Sequence, residues 1–131
     1  MSRTNARKNA FYLLFQHDFV GSEEMNGAKD IFFKENEEIN DADKAFILKN
    51  VDGVLENIEE IDSIIDKCAK GWTTNRMAKV DLAILRLAVY EMKFSNETPR
   101  NVVINEAVEL AKKYSSDESP AFINGILGNI M

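Results

Sequence analysis

The chain has 131 residues, of which 45% are hydrophobic and 29% charged. At roughly 100 to 200 residues per domain, this length predicts one domain over residues 1–131 with a core that needs no disulfide. Its apolar runs fall short of the ~20 residues that cross a bilayer, and the amino terminus lacks the apolar stretch of a secretory signal. We therefore expect a cytoplasmic protein with no membrane association.

The charge is distributed unevenly along the chain. The net charge of −6 argues against general nucleic-acid binding, because phosphate contacts dominate that affinity. Residues 1–17 nevertheless hold Arg3, Arg7 and Lys8 and no acid, whereas residues 18–62 hold fourteen acids and four lysines. This asymmetry favours RNA docking at one basic end, although a basic helix start is also typical of a solvated surface.

Apolar residues recur every three or four positions, and no segment alternates with period two, so the sequence predicts an all-α protein of about seven helices. In chain order the helices are expected over residues 3–19, 28–34, 40–55, 58–70, 77–92, 102–114 and 122–130, with polar segments at 21–27 and 115–118. The fifth helix is apolar almost all round, which predicts a central, buried position.

Polar residues at the expected helix starts predict the caps. Asn40 is placed as the N-cap of the third helix, and Thr74 or Asn75 as the cap of the central helix. The pairs Thr98–Pro99 and Ser119–Pro120 each combine a capping hydroxyl with proline at the first helical position. Gly71 provides the stop after the fourth helix.

No catalytic constellation is present in the sequence. The single imidazole, His17, has no nucleophile beside it, and no glycine-rich phosphate loop occurs. One histidine and one cysteine, Cys68, cannot complete a four-ligand zinc site. The sequence therefore predicts a protein that is not an enzyme and that has neither cofactor nor metal.

Three stretches carry a pattern that helix periodicity alone does not supply. The residues that carry it are Arg3, Ala6, Arg7, Ala10, Leu14, Phe15 and Gln16; then Trp72, Arg76, Asp81, Ile84, Leu85, Arg86, Leu87, Ala88, Tyr90 and Glu91; then Pro99, Ile104, Asn105, Glu106, Ala107, Glu109, Leu110, Ala111, Lys112, Ser119, Phe122, Asn124, Gly125 and Leu127. This combination resembles the NusB family of bacterial transcription antitermination factors. The resemblance extends from residue 3 to residue 127 and is weakest over 21–50.

The resemblance implies a NusB-type helical bundle of two packed three-helix subdomains. It also implies binding to the boxA element of nascent ribosomal RNA transcripts, as a heterodimer with the ribosomal protein NusE. Within the RNA polymerase antitermination complex, with other Nus factors, this heterodimer helps the polymerase read through terminators.

The family's RNA contacts, carried over to this chain, fall on Arg3, Arg7, Phe15, Glu118, Ser119 and Phe122. Lys8 joins them as a phosphate contact because it belongs to the same basic helix start. The start of the last helix also offers free N–H groups for a phosphate. Asp81 and Glu91 are expected to attract the basic NusE partner.

Several of these residues have other interpretations. Phe15 and Phe122 are equally well explained as core aromatics, and Trp72 is interpreted as a packing residue. The alternative function is a protein-only helical adaptor in a transcription complex. A third is an RNA-binding arm like those fused to ribosomal RNA methyltransferases. A homodimer is compatible with every one of these interpretations.

Overall fold

The computed structural model describes residues 1–131 and contains helices and turns without a β-strand. The six α-helices are α1 (Arg3–Glu35), α2 (Asp41–Glu56), α3 (Ile58–Cys68), α4 (Lys79–Tyr90), α5 (Arg100–Tyr114) and α6 (Ser119–Gly128). A 3-10 turn lies at Thr74–Arg76, and a π-helical turn over Glu91–Ser95 extends α4. The all-α prediction is confirmed. None of the helices has the length and apolar character needed to span a membrane.

The first helix is folded back on itself at Gly21. This residue has φ +79° and ψ 174°, a backbone conformation that a glycine adopts without strain. The second arm then returns along the first, so that the ring centroids of Tyr12 and Phe32 lie 5.9 Å apart. The predicted turn over 21–27 is too long, because the chain is helical again directly after Gly21. Counted as two arms, α1 brings the helical segments to seven.

Only one of the predicted N-caps is confirmed. The Asn40 side chain accepts a hydrogen bond from the backbone N–H of Asp43 at 2.9 Å, as an N-cap does. The central helix is different: Thr74 lies in the 3-10 turn, and α4 begins at Lys79 without a side-chain cap. The hydroxyls of Thr98 and Ser119 make no cap hydrogen bond either.

Helix α4 is the centre of the molecule, as its apolar character predicted. It packs against all five other helices and contributes to one continuous apolar core. The helices share that core, and α3 packs mainly against α4. Helix α2 comes especially close at Gly53, where an added Cβ atom would lie 2.2 Å from Cζ of Tyr90.

Arginines tie the helices together around this core. Arg86 of α4 donates two hydrogen bonds of 2.8 Å to Asp62 of α3 and one of 3.0 Å to Asp18 of α1. At the other end, Arg100 of α5 donates to carbonyl oxygens at the carboxyl end of α6. These contacts hold α1 and α6 in a fixed relation to α4 and α5.

Candidate nucleic-acid interface

The two predicted RNA-contact segments, at the start of α1 and at the start of α6, meet the same part of the molecule. The Phe11 ring of α1 lies 5.5 Å from that of Tyr114 at the end of α5. The next residue, Ser115, donates a 2.5 Å hydrogen bond to Asp81 at the start of α4. Asp81 also accepts from the Ser119 hydroxyl at 3.0 Å. The ends of α4 and α5 therefore connect the two segments.

A groove of about 630 Å³ opens between the two arms of α1 and the ends of α4 and α5. We call it the aromatic groove, because its lining includes Phe11, Tyr12, Phe15, Phe32 and Tyr114. Tyr12 and Tyr114 are about half exposed. Lys8 lies at the rim, is exposed, and has no carboxylate within ion-pair distance.

A smaller hollow of about 230 Å³ lies beside the start of α6, and we call it the loop pocket. It is lined by Trp72, Arg76, Met77, Ala78, Asp81, Ser116, Glu118, Ser119 and Phe122. Val80 and Tyr114 line the aromatic groove, whereas Asp81 and Ser116, which are close to them in the chain, line the loop pocket. The two hollows are therefore neighbours on one surface, the candidate RNA face.

Arg7, predicted as a phosphate contact, is buried and paired inside the protein. Its Nε atom donates to both carboxylate oxygens of Glu91 at 3.0 Å, and its guanidinium donates to the Thr98 hydroxyl at 3.2 Å. Glu106 lies 3.7 Å away. Only 4% of Arg7 is exposed, so the predicted RNA contact does not fit this geometry. A step of four residues advances a helix by about 40° beyond one turn, which carries Arg7 away from Arg3 and towards the core.

Arg3, the other predicted arginine, remains accessible. Its side chain is 55% exposed, and the guanidinium lies 4.1 Å from the ring centroid of Phe46. The carboxylate of Asp43 lies 3.7 Å from the guanidinium, and it also binds the amino terminus. Arg3 therefore presents a cation whose charge is partly balanced.

Asp81 and Glu91, the predicted attraction points for a basic partner, are also internal. Both are less than a tenth exposed, and each already has hydrogen-bond donors from its own chain. A helix buried on all sides has no solvated face for its acids, so they must be paired inside. Ser119 is internal as well: it is 3% exposed, and its hydroxyl donates to Asp81.

The remaining predicted residues line the candidate RNA face. Phe15 is half-buried in the aromatic groove, with its ring 6.3 Å from that of Phe11. Phe122 is half-buried in the loop pocket, and Glu118 is exposed at the same pocket. Both phenylalanines thus pack against neighbours and also line an opening, and their contact with RNA stays a prediction.

The structure adds residues that the sequence interpretation missed. Trp72 is 49% exposed, although it was interpreted as a packing residue, and Tyr114 is 44% exposed. Arg76 is exposed and lies within 5.7 Å of the Trp72 ring centroid. The signal in the sequence was a tryptophan placed directly after the Gly71 stop, outside any helical apolar stripe.

Comparison with known proteins identifies the family. The model of the NusB family matches residues 4–131. A transcription antitermination protein NusB from Agathobacter rectalis is 46% identical over 127 residues, which cover 97% of each chain. The structure of T. maritima NusB matches with a TM-score of 0.89 and 35% identity, covering 99% of this chain and 90% of that one. A crystal structure of antitermination factors NusB and NusE in complex with dsRNA matches with a TM-score of 0.85 and 32% identity, covering 98% and 94%.

Proposed function

The chain belongs to the NusB family of transcription antitermination proteins, and we propose that it binds boxA RNA of nascent ribosomal transcripts together with the ribosomal protein NusE. In this proposal the heterodimer acts in the RNA polymerase antitermination complex, with other Nus factors, and helps the polymerase read through terminators. The relative solved with NusE and dsRNA supports NusE and RNA as partners. The family consists of transcription factors, not of enzymes.

The observation that carries the proposal is the chemistry of the candidate RNA face. Open aromatic rings lie beside two basic side chains, Lys8 and Arg76, that have no carboxylate partner, on a protein of net charge −6. Single-stranded RNA is bound by this pairing, in which rings stack on bases and cations meet phosphates. The acidic remainder of the surface repels RNA and confines it to this face.

Each accessible residue has a distinct part in the proposed interface. Lys8 and Arg3 meet phosphates along the first arm of α1, while Phe15 offers ring surface in the aromatic groove. Glu118 and Phe122 form the wall at the start of α6. Arg7 acts indirectly, because its contacts with Glu91 and Thr98 fix the helix that carries the other groups.

Fluorescence anisotropy with labelled boxA RNA, with and without NusE, tests the proposal. We expect Lys8→Ala to weaken binding severalfold and to reduce the slope of log affinity against log salt by about 0.7, the share of one phosphate on a single strand. Lys67→Ala is the matched control, since Lys67 is an exposed lysine on α3 that lines neither hollow. Equal affinity for boxA and for a scrambled RNA would refute the specificity. Equal salt slopes for the two variants would remove Lys8 from the interface.

The burial of Arg7 favours a second candidate function, a protein-only adaptor, because it leaves fewer cations for RNA. That function predicts NusE capture that survives both nuclease treatment and the loss of Arg3 and Lys8. Sedimentation of the isolated protein tests the homodimer in the same preparation.

A further inference from the structure

The loop that carries Trp72 is held in place although its indole ring is exposed. Gly71, with φ +81°, reverses the chain after α3 in the left-handed region that suits glycine. The backbone N–H of Trp72 then donates to the carbonyl of Ala69 at 2.7 Å, and the backbone N–H of Thr74 donates to the carboxylate of Asp66 at 2.7 Å. A ring on a backbone fixed at both sides loses little freedom when a ligand stacks on it.

An aromatic ring and a cationic side chain lie next to the indole. The ring of Phe122 meets that of Trp72 edge-on, with centroids 6.0 Å apart and planes at 76°. The guanidinium of Arg76 is 5.7 Å from the indole centroid, and no carboxylate lies within ion-pair distance of it. Half of Trp72 is still open to solvent, so a further planar group has access to the indole.

We propose that the loop pocket binds one unstacked nucleobase of a single-stranded RNA, with Trp72 as the stacking platform and Arg76 as the contact to the adjoining phosphate. The inference rests on the proposed function and names a site for one nucleotide within it. Bases of any identity stack on an indole, and an arginine guanidinium matches a phosphate. The pocket, at about 230 Å³, is roughly a third of the size of the aromatic groove, which suits a single base and not a helix of a protein partner.

The acids of the pocket give this site a base preference. Asp81 is already occupied by the hydroxyls of Ser115 and Ser119. Glu118 is exposed and has no cationic partner in the chain. The Glu118 carboxylate repels a phosphate but accepts a hydrogen bond from an exocyclic amino group of a base. The base edge therefore points towards Glu118, and the phosphate contacts Arg76. Cytosine, adenine and guanine carry such an amino group and uracil does not.

Trp72 is the single tryptophan of the chain, and its fluorescence therefore reports on this pocket alone. The test is a titration of the complex between this chain and NusE, to which single-stranded boxA RNA is added. The same titration of the Trp72→Phe complex gives the emission of NusE, which is subtracted. The expected result is quenching of Trp72 that saturates together with anisotropy of the labelled RNA. An abasic nucleotide scanned along the RNA should abolish the quenching at one position and leave most of the binding intact.

Substitutions give the energetic test. Removing a stacked ring typically weakens single-strand binding by roughly 5- to 150-fold, which we expect for Trp72→Leu, with partial recovery in Trp72→Phe. Arg76→Gln should lower the salt slope by about 0.7, whereas Arg76→Lys keeps the slope. Phe19→Leu is the matched control, because Phe19 is 65% exposed and lines neither hollow. Thermal unfolding confirms that each variant is folded.

The outcomes separate this inference from the proposed function. Two results together overturn the base site and leave RNA binding standing: full RNA affinity of Trp72→Leu, and unchanged Trp72 emission when RNA is added to the unmodified complex. Loss of Trp72 emission on adding NusE alone, with no further change on adding RNA, also overturns it, because the pocket then belongs to the protein interface. Absence of boxA binding by the unmodified complex overturns the proposed function and the inference together.

Discussion

Two arginines of this chain lie at nearly the same distance from an aromatic ring, yet one is buried and the other is exposed. Arg7 is 5.6 Å from the ring centroid of Phe46, and Arg76 is 5.7 Å from that of Trp72. Around Arg7 the chain supplies Glu91 as a hydrogen-bonded partner, whereas no carboxylate lies within ion-pair distance of Arg76. The acid on the opposite side, and not the aromatic neighbour, decides whether an arginine holds the fold or remains available to a ligand.

The largest effect is expected from breaking the buried pair. Arg7→Met leaves the Glu91 carboxylate buried without its cation, and the free energy of unfolding should fall by about 3 to 5 kcal/mol. The double variant Arg7→Met, Glu91→Met removes both charges and should recover most of that loss. Urea unfolding measures all three proteins, with Arg76→Met as the matched control, expected within about 0.5 kcal/mol of the unmodified chain. A loss below 1 kcal/mol for Arg7→Met would make Arg7 available for RNA after all.

Gly53 tests how rigidly the chain next to Glu91 is held. A methyl group at this position would meet the Tyr90 ring at 2.2 Å, and Tyr90 directly precedes Glu91. Gly53→Ala should therefore cost about 1 to 3 kcal/mol through overpacking of a filled core. Adding Tyr90→Leu makes room and should return part of the stability, which thermal unfolding of the single and double variants measures. A neutral Gly53→Ala would mean that the ring swings aside freely and that the junction is loosely packed.

Asp81 lies between the interior and the candidate RNA face, since it is buried yet holds Ser119 at the loop pocket. Asp81→Asn exchanges a charged acceptor of two hydroxyls for a neutral amide, and we expect a loss of about 1 kcal/mol. A double-mutant cycle with Ser119→Ala isolates the shared hydrogen bond, because the two single losses should not add. Additive losses would indicate that Asp81 stabilises the fold independently of the start of α6.

The sequence predicted those structural features that depend on residues close together in the chain. The helix periods and the Asn40 cap involve partners within a few positions, and both are confirmed. The hydroxyl of Thr98 is taken by Arg7, 91 residues away, and that of Ser119 by Asp81, 38 residues away. These long-range partners compete with capping and burial in a way that spacing along the chain does not reveal. The burial of Arg7 has the same origin, because its partner Glu91 lies 84 residues away.

The smallest expected effect concerns His17, which lies beside a third arginine, the enclosed Arg86. Burial lowers the pKa of His17 below its ordinary value, Asp18 raises it in part, and the charge of Arg86 lowers it further. The neutral ring is therefore favoured in the folded chain, and the unfolded chain binds the extra proton first as the pH falls. The stabilisation is complete above about pH 6.5 and is lost as the pH falls from there through the lowered pKa.

Comparison of the unmodified chain with His17→Gln in urea at pH 7.5 and pH 5.0 isolates this contribution. Between pH 7.5 and pH 5.0 the unmodified chain should lose more unfolding free energy than His17→Gln does. The extra loss should be less than about 1 kcal/mol, because the ring is only partly buried and its charge is screened by water. A shift of the opposite sign would mean that Asp18 outweighs both burial and Arg86. The carboxylate would then govern His17 as Glu91 governs Arg7, and the same rule of the opposing acid would extend from the arginines to the single imidazole.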